Sequence, residues 1–146
     1  MRKKTFKKII YLIFLIYLVA LIYFLFFSEK LGRGNLSNNI GINLKPFNEI
    51  KRYTNNKSQI GDITSILNIY GNVFLFIPYG IMMPLIRQKS KIIKTTCYTM
   101  IFSIIIEFLQ YLFKVGIFDI DDIILNTIGG FLGYIIYKIF RLCYNK

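Results

Sequence analysis

The stretch IIYLIFLIYLVALIYFLFF, residues 9–27, is a run of 19 residues without a charged side chain. An α-helix rises about 1.5 Å per residue, so this run is long enough to cross a hydrocarbon core of roughly 30 Å. The whole chain of 146 residues is 55% hydrophobic and 17% aromatic, with a mean hydropathy of +0.51. A soluble domain of this length does not need so much apolar surface. The sequence therefore predicts an integral membrane protein.

Charge and residue usage exclude several classes of function. The chain has 19 Lys and Arg against 7 Asp and Glu, a formal net charge of +12, but the basic residues cluster in short segments beside the apolar runs. This placement is typical of membrane topology signals and excludes nucleic-acid binding as the explanation of the charge. The chain has no His, which excludes histidine acid–base chemistry, histidine metal ligation and Ser-His-Asp sites. Cys97 and Cys143 fall near the predicted cytoplasmic ends of spans, so we expect two free thiols.

The apolar runs and the polar segments between them predict the domain organisation. Residues 1–8 carry five positive charges and resemble the start of a secretory signal, but the apolar run that follows is too long, and Ser28-Glu29-Lys30 offers no cleavage site. We therefore expect an uncleaved first span. The predicted parts are a basic cytoplasmic N-terminus (1–8), a first transmembrane helix (9–27), an extracellular loop (28–62), a three-helix core (63–137) with spans at 63–86, 95–113 and 120–137, and a basic cytoplasmic tail (138–146).

The distribution of Lys and Arg predicts the orientation. Segments 1–8, 87–94 and 138–146 hold 12 of the 19 basic residues and none of the seven acidic ones. By the positive-inside rule these three segments are cytoplasmic. The predicted fold class is an all-α integral membrane protein with about four transmembrane helices, both termini cytoplasmic and one long extracellular loop.

Polar side chains inside a span are costly unless they have partners, so their positions are informative. Three predicted spans carry them, each on one helix face because residues three or four apart are neighbours on a helix. These candidate site residues are Asn68 and Asn72 in the second span, Glu107 and Gln110 in the third, and Asp119, Asp122 and Asn126 in the fourth. From the predicted span ends, Asn68, Asn72 and Glu107 lie roughly 8, 14 and 9 Å deep. We expect one polar layer in the outer leaflet.

Each of these residues also has a structural interpretation. Asn68 and Asn72 would serve equally as interhelical hydrogen-bond partners, and Gly129, Gly130 and Gly133 are interpreted as positions where helices pack closely. Glu107 is different, because neither topology nor packing explains a carboxyl group at that depth, so we favour a functional role for it.

The acidic residues at the start of the fourth span are candidate metal ligands. Asp119, Asp121 and Asp122 would supply oxygen ligands to a divalent cation at the outer surface. Acidic residues also occur at helix N-termini simply because they suit the helix dipole. We predict no obligatory cofactor, and whether a divalent cation binds is left open.

Four blocks of the sequence occur in order along the chain. They are Asn43-Leu44-x-Pro46-Phe47, Asn68-x-x-Gly71-Asn72-x-x-x-Phe76-x-Pro78-x-Gly80-x-x-x-Pro84, Glu107-x-x-Gln110, and Asp119-Ile120-Asp121-Asp122-x-x-x-Asn126-Thr127-x-Gly129-x-x-x-Gly133. Together these blocks resemble the VanZ-like family of small bacterial membrane proteins. The resemblance implies a cell-membrane protein associated with tolerance of glycopeptide antibiotics, chiefly teicoplanin. It implies no settled biochemical activity.

The chain departs from the family pattern in two places. Members often carry an Arg shortly before the first block, whereas the nearest upstream Arg here is Arg33. Many also have a Gly-Arg pair before the acidic block, and here Gly116 is followed by Ile117.

Three functions remain open. The first is a non-enzymatic membrane modulator whose polar site engages a membrane lipid, a lipid-linked wall precursor or the acyl-bearing lipoglycopeptide. The second is a small carboxylate- or metal-dependent enzyme acting on lipid head groups, with Glu107 as acid or base. The third is an ion- or proton-coupled carrier, for which four spans are few. The lack of His and of a complete metal-enzyme signature favours the modulator.

The predicted location is the plasma membrane; the oligomeric state is left undetermined.

Overall fold

The structure, a computed structural model, describes residues 2–32, 41–47, 51, 61–87 and 90–144. It contains four long helices, α1 (Arg2–Gly32), α2 (Gly61–Ile86), α3 (Ile92–Leu112) and α4 (Ile120–Tyr144), and two short strands, β1 (Ile42–Asn43) and β2 (Phe118–Asp119). Within these described ranges, four helices are long and apolar enough to cross a membrane. The expected all-α membrane fold with about four transmembrane helices is thereby confirmed.

The helices do not end where the predicted spans end. α1 begins within the basic segment at Arg2, and α4 continues to Tyr144, beyond the predicted end at residue 137. The reason is that hydropathy marks the part of a helix that suits lipid, whereas backbone hydrogen bonding continues into polar surroundings, and Lys and Arg are good helix formers. Much of the predicted extracellular loop, residues 33–40, 48–50 and 52–60, lies outside the described residues.

Glycines bring α2 and α4 into close contact. A Cβ atom on Gly129 would lie 2.3 Å from the carbonyl oxygen of Val73, and one on Gly133 would lie 2.1 Å from that of Ile77. No real Cβ atom approaches a backbone oxygen so closely, so only glycine allows this separation of the two helices. The pairing also shows that α2 and α4 run in the same direction.

α1 and α3 complete the bundle. The hydroxyl of Tyr17 on α1 donates a 2.6 Å hydrogen bond to the carbonyl oxygen of Leu75 on α2. The residues of the small apolar core are Leu21, Leu25, Phe76, Tyr79 and Ile106. On α3, Thr95, Thr99 and Ser103 form a buried stripe of small polar side chains.

The two strands connect the long loop to the turn between α3 and α4. They pair in parallel, with Ile42 opposite Phe118 and Asn43 opposite Asp119. The turn itself is tight because Lys114 adopts a left-handed conformation with φ 55°, and the N–H groups of Lys114 and Val115 donate to the carbonyls of Tyr111 and Gln110. We call the end of the bundle that carries β1 and β2 the strand end. The positive-inside rule predicts that it faces outward.

Candidate functional site

Asp119 organises the strand end. It is 2% exposed and lies immediately before α4, where its carboxylate accepts the N–H of Asp121 at 2.9 Å. This is the bond that an N-cap side chain makes to a helix start. The side-chain amide of Asn43 donates to both carboxylate oxygens of Asp119, at 3.2 and 3.1 Å. Asp119 therefore caps α4 and anchors β1 at once.

Glu107, on α3, lies beside Asp119, the residue that immediately precedes α4. Its carboxyl group, 3% exposed, accepts the backbone N–H of Asp119 through Oε2 at 3.1 Å. This contact forms because α3 ends in a tight turn that returns the chain to the face of α3 that carries Glu107. The N-terminus of α4, where backbone N–H groups give partial positive charge, thus points toward two carboxyl groups.

The segment Gly41–Phe47, which we call the strap, lies across this end of the bundle. Besides the bonds from Asn43, the backbone N–H of Phe47 donates to Asp121 Oδ1 at 2.6 Å. Phe47 has a left-handed φ of 64°, uncommon for a residue other than glycine. Two aspartates at the start of α4 therefore hold the strap at both of its ends.

Asn72 and Asp122 pair across α2 and α4. The amide of Asn72 donates to Asp122 Oδ1 at 2.6 Å, and Asp122 is 9% exposed. Asn68, one turn earlier on α2, is half-buried. The parallel course of α2 and α4 places the first turn of α4 beside the middle of α2, which explains why these two residues meet.

Gln110 and Asn126 bond to residues that the sequence did not single out. Gln110 Nε2 donates to the carbonyl oxygen of Leu25 on α1 at 3.2 Å, and Asn126 Nδ2 donates to Ser103 Oγ at 2.8 Å. Both side chains are at most 2% exposed. Among the described residues, the amide oxygens Gln110 Oε1 and Asn126 Oδ1 are buried and accept no hydrogen bond. Unpaired buried acceptors are rare and call for a donor from water or a ligand.

The aspartates at the start of α4 each accept a hydrogen bond from a different donor. Asp119, Asp121 and Asp122, the candidate metal ligands, accept hydrogen bonds from Asn43, from the N–H of Phe47 and from Asn72, respectively. Among the described residues, no group of three or more His, Cys, Asp or Glu side chains is arranged to hold a metal ion.

Two contributors to this site, Asn43 and Ser103, were absent from the predicted set. Asn43 opens the first of the four family blocks, which is the signal that would have identified it. Ser103 precedes Glu107 by one helical turn and so lies on the same face of α3. Neither signal says which helix or strand the side chain contacts.

Comparison with known proteins gives two matches. The family profile described as VanZ/LLP1 matches residues 14–141. A stretch of 66 residues is 35% identical to Protein VanZ of Enterococcus faecium. That alignment covers 45% of this chain and 41% of the relative, so it spans less than half of the relative's length. No solved structure matches the chain.

Proposed function

Because the chain belongs to the VanZ/LLP1 family, we propose that it contributes to tolerance of teicoplanin-type glycopeptide antibiotics from the plasma membrane. The site that performs this role is the polar cluster at the strand end, formed around Glu107, Asp119 and Asp122. It engages a membrane lipid, a lipid-linked wall precursor or the lipoglycopeptide itself, and thereby changes access to the drug target.

The observation that carries this proposal is the buried polar layer inside a membrane bundle. Glu107 is 3% exposed within a helix long and apolar enough to span, where a carboxyl group is costly. Near it in sequence, Gln110 Oε1 is a buried acceptor without a donor among the described residues. Such acceptors favour a ligand that brings hydrogen-bond donors, as an amine, a hydroxyl or an amide group does.

The test compares two variants of Glu107. Glu107→Gln keeps the shape of the side chain and an oxygen that accepts the N–H of Asp119, but it removes the carboxyl group. We expect normal protein level in the membrane and loss of the tolerance phenotype. Glu107→Leu removes the hydrogen bond as well. Measured interhelical hydrogen bonds in membranes average only about 0.6 kcal/mol, so this change lowers protein level modestly.

The measurement is teicoplanin susceptibility normalised to membrane protein level. Cys97→Ser, an exposed position on the same helix, is the matched control and retains full tolerance. Full tolerance of Glu107→Gln at normal abundance would show that the polar layer is packing and not a functional site.

A second experiment separates binding from catalysis. Glu107 accepts the backbone N–H of Asp119, so two residues with carboxyl groups adjoin each other, and acid–base chemistry on a lipid head group would also use such residues. Purified protein is incubated with bacterial lipids, with and without divalent cations, and the lipids are analysed by mass spectrometry. A head-group species that appears only with wild-type protein would replace the binding proposal with an enzymatic one.

A further inference from the structure

The strap turns the side chain of Asn43 inward and its large apolar side chains outward. Side chains alternate between the two faces of an extended strand, and Asn43 faces the carboxylate of Asp119. Its neighbours Ile42 and Leu44 are therefore directed away from the bundle and are 57% and 61% exposed. Phe47, at the other end of the strap, is 51% exposed. A segment facing water would show the reverse pattern.

The turn between α3 and α4 continues this apolar surface. Leu112 and Phe113 are 58% and 64% exposed at the end of α3. The pairing of Ile42 with Phe118 holds the strap beside this turn. Single exposed apolar side chains are ordinary, but here they occur together on two adjoining segments at the end of spanning helices.

Two exposed lysines accompany the apolar side chains. Lys45 lies in the strap between Leu44 and Phe47, and Lys114 follows Phe113 in the turn. Apolar side chains beside long cationic ones are typical of segments that lie at a membrane interface, where the stems rest on acyl chains and the ammonium groups reach lipid phosphates. Lysines close to such a surface are attracted to anionic lipids.

We propose that the strap and the adjoining turn form an interfacial lipid-binding surface. Ile42, Leu44 and Phe47 enter the boundary between head groups and acyl chains, and Lys45 and Lys114 contact the phosphates of anionic phospholipids. This surface is distinct from the polar cluster beneath it. The inference rests on the exposed side chains of the strap and the turn and does not depend on the proposed function.

The absence of tryptophan from the chain makes a direct test possible. Leu44→Trp introduces a single indole at the outward face, and Phe47→Trp provides a second, independent reporter. Each full-length variant is reconstituted into vesicles of phosphatidylcholine with phosphatidylglycerol, with or without brominated acyl chains. We expect blue-shifted emission that brominated lipid quenches several-fold and that aqueous iodide quenches weakly. Quenching by brominated lipid does not depend on vesicle orientation, because both leaflets contain the same lipids, and iodide is placed on both sides of the membrane so that protein in either orientation meets it.

Two references calibrate the result. Phe24→Trp, on a half-exposed face of α1 within the first span, reports a lipid-facing indole, and N-acetyl-tryptophanamide added to the vesicles reports an indole in water. Quenching of both strap reporters by iodide as strongly as the soluble reference would overturn the proposal. Blue-shifted emission that brominated lipid leaves unchanged would also overturn it, because protein would then cover the strap.

The role of the lysines is tested in the same vesicles. In the Leu44→Trp protein we expect deeper quenching by brominated lipid when phosphatidylglycerol is present than in phosphatidylcholine alone, and we expect added salt to reduce this difference. Replacement of Lys45 and Lys114 by Gln abolishes the difference if they contact anionic phosphates. A difference that survives both substitutions contradicts this part of the proposal.

Discussion

The side-chain amide of Asn43 donates to both carboxylate oxygens of Asp119, at 3.2 and 3.1 Å, although the two residues are 76 positions apart in the chain. This contact connects the strap to the N-terminus of α4. The same aspartate caps that helix, and its backbone N–H contacts Glu107. A change at Asn43 therefore reaches the carboxyl group on which the proposed function depends.

The first prediction concerns the strength of this connection. Asn43→Ala leaves the buried Asp119 carboxylate without the amide donor, which costs about 1–3 kcal/mol. We expect hydrogen exchange of the Ile42–Phe47 peptide to accelerate about 5- to 150-fold, the range that corresponds to this free energy. Hydrogen–deuterium exchange with mass spectrometry on the detergent-solubilised protein measures it.

Two further variants test whether the lost hydrogen bonds to Asp119 cause the faster exchange. Asn43→Asp keeps the oxygen that accepts the N–H of Lys45 but places a carboxylate against Asp119, so it accelerates exchange at least as much as alanine does. Cys97→Ser, at an exposed position on α3 outside the strap, removes no contact of Asn43, so it leaves exchange of this peptide unchanged. Equal exchange in Asn43→Ala and wild type would mean that the strap is held by other contacts.

The second prediction concerns the pair Asn72 and Asp122. Their 2.6 Å hydrogen bond joins the middle of α2 to the first turn of α4. In a double-mutant cycle with Asn72→Ala and Asp122→Ala, we expect a coupling free energy of about 0.6 kcal/mol and no more than about 1.7 kcal/mol, the mean and the maximum measured for hydrogen bonds between membrane helices. Reversible unfolding in mixed micelles gives the free energies of unfolding. Additive effects of the two substitutions would show that the pair contributes no net stabilisation.

The third prediction concerns helix packing. Alanine at Gly133 places its Cβ atom 2.1 Å from the carbonyl oxygen of Ile77 and 2.9 Å from the Cα atom of Gly80, so α2 and α4 must separate. Overpacking of this kind costs about 1–3 kcal/mol or more. We expect Gly133→Ala to lower the free energy of unfolding by about 1 kcal/mol or more.

Gly71 on α2 is the matched control for this substitution. A Cβ atom there meets nothing within 4 Å. Alanine is the better helix former, by about 1 kcal/mol, so Gly71→Ala is neutral or slightly stabilising. A similar loss of stability in both variants would contradict the assignment of the close contact to Gly133.

The fourth prediction concerns orientation. The concentration of 12 of the 19 basic residues in three segments predicts that the strand end faces outward and the loop between α2 and α3 faces the cytoplasm. In a background with Cys97 and Cys143 replaced by Ser, single cysteines are introduced at Lys45 and at Lys91, both exposed. A membrane-impermeant maleimide added to intact cells labels the Lys45→Cys protein only. Labelling of the Lys91→Cys protein alone would reverse the topology.

The sequence by itself determined the number and approximate position of the membrane helices. Runs such as residues 9–27 must form helices in lipid, because an isolated segment satisfies its backbone hydrogen bonds there only as a helix. The same reasoning singled out Glu107 and Asp122, since a carboxyl group within or at the end of a span is conspicuous by its cost. Family blocks pointed to the same residues and to the segment that contains Asn43.

Only the tertiary structure decided which of these residues meet. Helix periodicity places Gln110 on the face of Glu107, but it cannot reveal that Gln110 contacts Leu25 on α1 while Glu107 contacts the N–H of Asp119. The strap was predicted as part of an extracellular loop, and its pairing with β2 depends on the left-handed turn at Lys114 that returns the chain to the same place. Local sequence dictates helices because their hydrogen bonds are local. Contacts between residues as distant as Asn43 and Asp119 arise only when the helices have packed, because packing is what brings their ends together.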